Sequence, residues 1–447
     1  MHEVTPARPS LRATVRLLIL AFVALLALDH YRNHLAHSPG IDFFQYWAVP
    51  MARRLSVEPL GSPYAETQRY AETIRNFSSH TGDPRLEAVV DYWKTPDFAS
   101  DPLVYVIGGW LPADYTTALR TYQFLQFAAL AVALFLLARM SSLPGLETAI
   151  LGLLMFVYYM PILSELRVLN TNAVVLVALA GATWLLQTRS GTPPPWGRLA
   201  AALCLAVFAA FLKPIWAPLP GLILLHLLYQ GRRLEVLKSA AVAGGLALVL
   251  FIWPAVVFGP SIWPEWYRSV FGDSSDRLFY SVEQGNRSTA VVLVEATGMS
   301  ANAATGVIAA FLSASLLVSW LIHHKAASPR GWRVAGRSLG NGLLGRPETA
   351  LALGIAGALA LSPLAWWHYY TVALLPVFVL LAPGAPRALG ALAALSFLLS
   401  SGRLGPIYVA IGDPDNITVL GAALAWIPLW LGLLTITLWK RPQRDSQ

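Results

Sequence analysis

Long apolar segments alternate with short polar ones along almost the whole chain. A helix of roughly 17 to 22 apolar residues crosses the hydrocarbon core of a membrane, and many of these segments approach that length. Twelve segments are candidate transmembrane helices: residues 13–29, 117–138, 146–163, 172–187, 199–213, 215–229, 238–258, 303–322, 348–363, 369–383, 387–402 and 418–439. The pattern predicts an all-α polytopic membrane protein with a bundle of about twelve transmembrane helices.

The first apolar segment begins like a secretory signal peptide, because Arg8, Arg12 and Arg16 precede it. Its end does not suit cleavage, since residues 29–32 read Asp-His-Tyr-Arg and offer no small-residue site. We therefore expect a retained signal anchor rather than a leader that is removed.

Charge follows the apolar pattern. With the N-terminus in the cytoplasm, most Lys and Arg residues fall on cytoplasmic segments and most acids fall on the other side. This asymmetry supports twelve spans with both termini in the cytoplasm. The net charge of +8 is then mainly a topology signal, so we expect no nucleic-acid partner.

Composition narrows the class further. Of the 447 residues 56% are hydrophobic and only 13% are charged, which excludes an ordinary soluble domain. Cys204 is the one cysteine, so neither an intrachain disulfide nor a site with several thiolate ligands can form.

Three long polar segments interrupt the apolar pattern. The predicted extracytoplasmic side carries residues 29–116 and 259–302, whose many Tyr and Trp residues argue against disorder. Residues 323–347 form a basic cytoplasmic loop, which we expect to contact anionic lipid headgroups. Loops of this length beside a helical bundle are usually functional, which directs attention to the first two.

Polar residues near the ends of the predicted spans gather on the extracytoplasmic side. Such groups are costly at a membrane and tend to be kept for function. Asp42 is the first candidate, either as a general base or as the cap of a surface helix. Lys213 is either a side chain that reaches toward the headgroups or a cation for a lipid phosphate. His368 is either an interfacial histidine or a donor to a phosphate leaving group.

The remaining candidates also have two readings. Arg287 is shaped for bidentate phosphate contact, with an interfacial anchor as the alternative. We expect Glu165 and Arg167 to pair with each other. Asn170 and Asn172 suit helix N-caps first, and sugar or headgroup contacts second.

Metal binding has little support in the sequence. Asp91, Asp97 and Asp101 are loosely spaced acids in the first long segment, and we expect solvated surface carboxylates there. No metal site is therefore predicted.

Several short motifs occur in a recognisable order, and together they resemble glycosyltransferase family 87. The motifs are Asp42-Phe43-Phe44-Gln45-Tyr46 with Gly61-Ser62-Pro63-Tyr64, Leu169-Asn170-Thr171-Asn172, Leu212-Lys213-Pro214, Gly285-Asn286-Arg287-Ser288 and Ser362-Pro363-Leu364-Ala365-Trp366-Trp367-His368. Two positions depart from the family pattern: Leu169-Asn170 replaces the usual Gly-Gln, and Ser100-Asp101-Pro102 stands where Tyr-Pro-Pro is common.

This resemblance implies one GT-C-type transmembrane domain over residues 1–447, which transfers sugars from polyprenyl phosphate. Asp42 would be the general base, and Lys213, Arg287 and His368 would contact the donor phosphate. Further contacts to sugar or acceptor would come from Tyr46, Asn170, Asn172, Asn286 and Trp367.

The implied chemistry is consistent in itself. A polyprenyl phosphate is already a good leaving group, so one base that activates an acceptor hydroxyl is sufficient. Fixed cations would stabilise the charge that develops on the departing phosphate, which makes a divalent metal optional and requires no cofactor.

The resemblance thus implies an inverting hexosyltransferase of the mannosyltransferase type, which acts on the extracytoplasmic face of a bacterial-type cytoplasmic membrane. Its donor would be a polyprenyl-phosphate sugar, and its acceptor a lipid-linked molecule or a glycan. A transporter or flippase of lipid-linked sugars is the competing hypothesis. Transporters commonly carry internal repeats with charges at the bilayer midplane, whereas here the two halves differ and the polar residues gather at one surface. A structural scaffold is a third reading.

Overall fold

The computed structural model describes residues 11–93, 98, 100–187, 193–271, 282, 285–326, 342–382, 385–401 and 414–438. These residues form helices and connecting segments, with no strand among them. The first half contains α1 (Leu11–His30), α2 (Ile41–Leu55), α3 (Thr67–Thr81), α4 (Pro84–Tyr92), α5 (Pro102–Gly108), α6 (Tyr115–Met140), α7 (Gly145–Tyr158), α8 (Met160–Val168), α9 (Asn172–Leu186) and α10 (Trp196–Leu212).

The second half continues in the same manner. It contains α11 (Pro218–Tyr229), α12 (Arg233–Phe258), α13 (Ile262–Phe271), α14 (Thr289–Thr297), α15 (Ala301–Ala326), α16 (Pro347–Leu361), α17 (Leu374–Leu380), α18 (Arg387–Ser400), α19 (Pro414–Leu424) and α20 (Trp426–Leu438). Short 3-10 segments, Pro214–Trp216 and Trp367–Thr371, lie directly before α11 and shortly before α17, and a π-helical turn, Tyr31–Leu35, extends α1.

The apolar helices make this a membrane-embedded protein. Among the described residues, five helical segments are long and apolar enough to cross a membrane: Thr14–Leu35, Tyr115–Met140, Arg233–Phe258, Ala301–Ile322 and Val419–Thr437. A sixth is formed if α7 and α8, which meet at an angle of 68°, count as one broken span. The all-helical prediction is confirmed, whereas the bundle of about twelve spans stays a prediction.

Shorter apolar helices occupy most of the other predicted positions. They have 10 to 17 residues, and a 15-residue helix such as α9 is only about 22 Å long, less than the roughly 30 Å of a hydrocarbon core. Prolines lie at some of the helix boundaries: Pro214 follows the end of α10, and Pro347 begins α16. Broken helices are tolerated at membrane depth where the freed backbone groups are buried in protein or line a cavity.

The centre of the bundle is α9, which packs between α6 and α10. Its buried face contains several alanines, among them Ala173, Ala178, Ala180 and Ala182. Small side chains let neighbouring helices approach closely, so α9 holds the ends of α6, α8 and α10 near one another.

The first long polar segment is helical. Its helix α2 is almost entirely buried, with Phe43 stacked on Tyr122 at 5.1 Å between ring centroids. The indole nitrogen of Trp47 donates a hydrogen bond of 3.0 Å to the carbonyl of Pro112. These contacts fix α2 against α5 and α6, and thereby fix the one face of α2 that opens onto a cavity.

The other two polar segments are described only in part. Helices α13 and α14 lie in the segment 259–302, and most of the basic loop 323–347 lies outside the described residues. The predicted contact of that loop with lipid headgroups therefore stays a prediction.

Candidate active site

A cavity of about 1490 Å³ lies where α2, α5, α8, α10 and the segment after α16 meet. The polar side chains in its wall include Asp42, Gln45, Asp101, Asn170, Lys213 and His368. Apolar side chains from other helices also line it, among them Leu222, Leu312, Leu316, Leu353 and Trp430. The cavity wall thus combines titratable groups with a large apolar surface.

Asp42 lies in the first turn of α2, outside the spanning helices, and its side chain is 23% exposed. The turn before it requires Gly40, whose φ of 71° is left-handed and whose missing side chain leaves room for Leu119. Burial raises the pKa of the Asp42 carboxyl, while the Asn170 hydrogen bond and the charge of Lys213 oppose that rise. A carboxylate with a raised pKa is a stronger base, which suits proton abstraction.

Asn170 orients this carboxylate. Its amide nitrogen donates a hydrogen bond of 2.6 Å to Asp42 Oδ2, and its amide oxygen accepts from the backbone N–H of Thr171 at 2.7 Å. The Asn170 carbonyl in turn accepts from the Tyr122 hydroxyl and the Gln126 amide. Asn170 is therefore a positioning residue for Asp42, and the expectation that it caps a helix is wrong because α9 has Thr171 at its N-cap.

The residue before it adopts an unusual conformation. Leu169 ends α8 with φ 59° and ψ 56°, a left-handed geometry that glycine adopts more readily. It stands where the family pattern usually has glycine, and its side chain is fully buried. Packing therefore holds a backbone turn that glycine would adopt without strain.

Glu165 and Arg167 do not pair as expected. The Glu165 carboxylate accepts hydrogen bonds from the Asn172 amide at 2.9 Å and from the backbone N–H of Ala173 at 3.1 Å. Arg167 is exposed, because it lies on the opposite side of α8. Glu165 thus connects the end of α8 to the start of α9. Asn172 takes part in this connection; it is not the N-cap of α9, and it does not line the cavity.

Lys213 is buried, so it does not reach out to the membrane surface. It follows α10 as its C-cap, its side chain is 9% exposed, and its ammonium nitrogen lies 3.6 Å from the centre of the Tyr369 ring. Among the described residues, no side chain or backbone group hydrogen-bonds this nitrogen. A buried ammonium without such a partner is costly, and its position in the cavity wall makes it a ready site for an anion.

His368 stands opposite Asp42. It belongs to the 3-10 segment Trp367–Thr371, and its Nε2 lies 3.9 Å from Asp42 Oδ2. Trp367 and Tyr46, which the sequence predicts to contact the sugar or the acceptor, also line the cavity. The sequence-distant residues Asp42, Lys213 and His368 therefore share one cavity.

Asn286 and Arg287 lie behind the cavity wall. The Asn286 side chain donates to the carbonyl of Pro363 at 3.0 Å and accepts from the backbone N–H groups of Ser288 and Ala365 at 3.0 Å each. The Arg287 guanidinium donates to the carbonyl of Val282, with its carbon 5.8 Å from the centre of the Trp367 ring. The described contacts of both are structural, and their predicted roles at the sugar and phosphate stay predictions.

The three loosely spaced acids of the first long segment do not share one environment. Asp91 is exposed as expected, and Asp97 lies outside the described residues. Asp101 is buried, at 5% exposure, and lines the cavity, so the expectation of a solvated carboxylate is wrong. The described residues contain no group of three or more His, Cys, Asp or Glu side chains that could hold a metal.

Two residues of the cavity wall were missed by sequence reasoning. Gln45 lies three positions after Asp42 on the same helix, so their shared face was a usable signal. Asp101 directly precedes Pro102, a pattern typical of a helix N-cap, but nothing in the sequence indicated that this cap would be buried.

Comparison with known proteins gives one match. The family model described as glycosyltransferase family 87 matches residues 102–347, which include Asn170 and Lys213. No curated protein and no solved structure matches the chain. The matched range stops short of Asp42 and His368, and the fold brings both to the cavity that the matched residues line.

Proposed function

Because the chain belongs to glycosyltransferase family 87, we propose that it moves a hexose of the mannose type from a polyprenyl-phosphate donor to a lipid-linked or glycan acceptor. The proposal places the protein in a bacterial inner membrane with both termini in the cytoplasm. The cavity then opens toward the extracytoplasmic side, and the anomeric carbon is inverted. No cofactor is required, and a divalent metal is optional.

One observation carries this proposal: a carboxylate and a buried ammonium group share the cavity. Asp42 can accept the proton of an acceptor hydroxyl, and Lys213 can receive the anionic phosphate of the donor. A phosphate oxygen would give the buried Lys213 ammonium the hydrogen-bond partner that it lacks, which would offset a desolvation penalty of several kcal/mol. The site is therefore suited to an anionic leaving group.

The apolar side chains of the cavity wall support a lipid donor. Leucines from α11, α15 and α16 line the cavity together with Trp430. A polyprenyl chain is an extended hydrocarbon, which buries favourably along such a surface at roughly 25 cal/mol per Å². Water-soluble nucleotide sugars would gain nothing from this apolar surface.

The cavity residues support a direct displacement. The acceptor hydroxyl gives its proton to the Asp42 carboxylate while its oxygen forms a bond to the anomeric carbon. The bond between that carbon and the phosphate oxygen breaks, and its electron pair leaves with the polyprenyl phosphate. Lys213 and His368 stabilise the charge on the departing phosphate. Attack and departure on opposite faces give inversion.

The test uses purified protein in lipid nanodiscs, a panel of polyprenyl-phosphate hexoses and a membrane-lipid extract as acceptor, with products identified by mass spectrometry. Asp42→Asn should abolish the product, His368→Ala should weaken donor use, and Asp29→Asn, on the exposed side of α1, should retain full turnover. Retained turnover in Asp42→Asn would overturn the proposal.

The same preparation separates the competing hypothesis. A transporter or flippase would move the labelled donor across a vesicle membrane without forming a new glycosidic bond. Donor movement without a glycoside product would favour that alternative.

A further inference from the structure

Gln45 has an unused polar group in the cavity wall. The residue is 6% exposed and lines the cavity, and no described residue hydrogen-bonds its amide oxygen, which is itself buried. Leaving a buried polar group without a partner costs about 1 to 3 kcal/mol. Rotation of the side-chain amide toward the cavity would let a ligand with hydroxyl groups supply the missing hydrogen bond.

Asp101 presents a second polar group. Its Oδ1 accepts a hydrogen bond of 2.9 Å from the backbone N–H of Leu103, which caps α5. Among the described residues, no hydrogen bond reaches the other carboxyl oxygen, although the side chain is almost fully buried in the cavity wall. Burial raises the pKa of Asp101 to about 8, so at neutral pH the group is a carboxylic acid that can both donate and accept.

The two residues belong to helices that pack closely together. Helices α2 and α5 approach so tightly that a Cβ on Gly108 would lie 1.9 Å from the Tyr46 carbonyl oxygen. Gln45 on α2 and Asp101 at the start of α5 face the same cavity. Gln45 also follows Asp42 by one helical turn, so the base and this amide share a face.

Aromatic rings complete this part of the wall. Tyr92 and Trp93 line the cavity at the end of α4, with ring centroids 5.7 Å apart. The Trp93 indole donates a hydrogen bond of 3.0 Å to the carbonyl of Ile41, the residue before Asp42. Aromatic rings beside amide and carboxyl groups suit a sugar ring, which has an apolar C–H face and a rim of hydroxyls.

The position of the two residues relative to Asp42 indicates which sugar they meet. Asp42 takes the proton of the acceptor hydroxyl, so the acceptor lies against that carboxylate. Gln45 lies on the same face of α2 one helical turn later, and Asp101 begins the helix that packs against α2. Both line the same cavity as Asp42 and are therefore placed to meet the acceptor.

We propose that Gln45 and Asp101 form a hydroxyl-binding subsite for a sugar or polyol ring of the acceptor, beside the base that activates that acceptor. The assignment of this sugar to the acceptor rests on the proposed transferase function. The binding site itself can be tested without turnover. The acceptor class is then a glycan or glycolipid rather than a simple lipid alcohol.

The experiment titrates octyl mannoside into the full-length protein in nanodiscs and follows tryptophan fluorescence, with octanol as a probe that has a hydroxyl but no sugar ring. Gln45→Leu and Asp101→Ser should each weaken octyl mannoside binding about tenfold and leave octanol binding unchanged, since each removes about one hydrogen bond. Serine retains the helix cap, and Asp101→Asn, which keeps both cap and donor, should lose less.

Two controls are matched to these variants. Asp83 also caps a helix before a proline but lies outside the cavity wall, so Asp83→Ser should bind octyl mannoside normally. Gln123 is buried and donates to the Leu35 carbonyl, so Gln123→Leu should lower the unfolding temperature without changing affinity. Gln45→Leu should not lower the unfolding temperature, because no described hydrogen bond is lost and a buried polar atom without a partner is removed.

Kinetics with the donor panel separate the two proposals. The subsite predicts a raised KM for the acceptor in Gln45→Leu and an unchanged KM for the donor. Unchanged octyl mannoside binding, or a raised KM for the donor alone, would overturn it. If the wild-type protein forms no glycoside with any donor while the binding differences persist, the transferase proposal fails and the sugar-binding site stands.

Discussion

The buried carboxyl of Asp101 should make the stability of the protein depend on pH. Its pKa rises from an ordinary 3.8 to about 8 because burial disfavours the charged form. The unfolded chain releases this proton near its ordinary pKa, whereas the folded protein retains it. The carboxyl therefore costs nothing below the unfolded pKa, and its cost grows as pH rises through the window up to about 8.

The size of the effect follows from linkage. Each unit of pKa shift corresponds to about 1.4 kcal/mol, so at pH 7 the carboxyl destabilises the fold by about 4 kcal/mol and at pH 5 by about 2 kcal/mol. Replacing Asp101 with Asn retains the helix cap and removes the titration. The stability gained by Asp101→Asn should therefore increase by about 2 to 3 kcal/mol between pH 5 and pH 7.

The assay compares thermal unfolding of wild type and variant in nanodiscs at several pH values from 5 to 8. The difference in unfolding temperature between Asp101→Asn and wild type should increase by several degrees as the pH rises. Ser288→Ala removes the cap of α14, which does not titrate, and should change the unfolding temperature by the same amount at every pH. Parallel curves for wild type and Asp101→Asn would refute the reasoning, because they would mean that Asp101 ionises in the fold as readily as in the unfolded chain.

Three further changes test the site. Lys213→Met should lower kcat/KM for the donor by about 100-fold, and Lys213→Arg should lose less, as measured by product formation over a range of donor concentrations. Asn170→Ala removes the hydrogen bond that lowers the pKa of Asp42, so that pKa should rise. As the pH is lowered, activity should therefore begin to fall at a higher pH than in wild type, and an unchanged pH–rate profile would contradict this role of Asn170. Gly108→Ala places a methyl group against the backbone of α2 and should lower the unfolding temperature by several degrees, whereas Gly244→Ala, which meets no atom within 4 Å, should not.

The hydrophobic pattern predicted the all-helical membrane class because apolar length is a local property. It did not predict where helices break. The predicted span 146–163 is divided into α7 and α8 at Tyr159, and the predicted span 369–383 becomes a 3-10 segment followed by the short helix α17. These breaks depend on which backbone groups find partners in neighbouring helices, and that information is not local.

The residues of the candidate site could also be predicted only in part. Asp42, Lys213 and His368 were recognisable because charged or titratable groups near span ends are costly and therefore informative. Gln45 carries no charge, and Asp101 looked like one surface acid among several. Their importance depends on burial and on missing partners, which only the packing of α2 against α5 reveals.

The broken helices and the polar cavity are connected. Lys213 stands at the end of α10, Asn170 follows the end of α8, and His368 belongs to the irregular segment after α16. A continuous helix satisfies its own backbone and directs side chains at neighbouring helices, whereas a helix end leaves polar groups that must be buried in protein or line a cavity. Stopping helices short within an apolar bundle thus gathers polar side chains from distant parts of the chain at one place. The well-packed α9 supports them, since it ties α8 to the bundle through Glu165 and keeps α6 and α10 close.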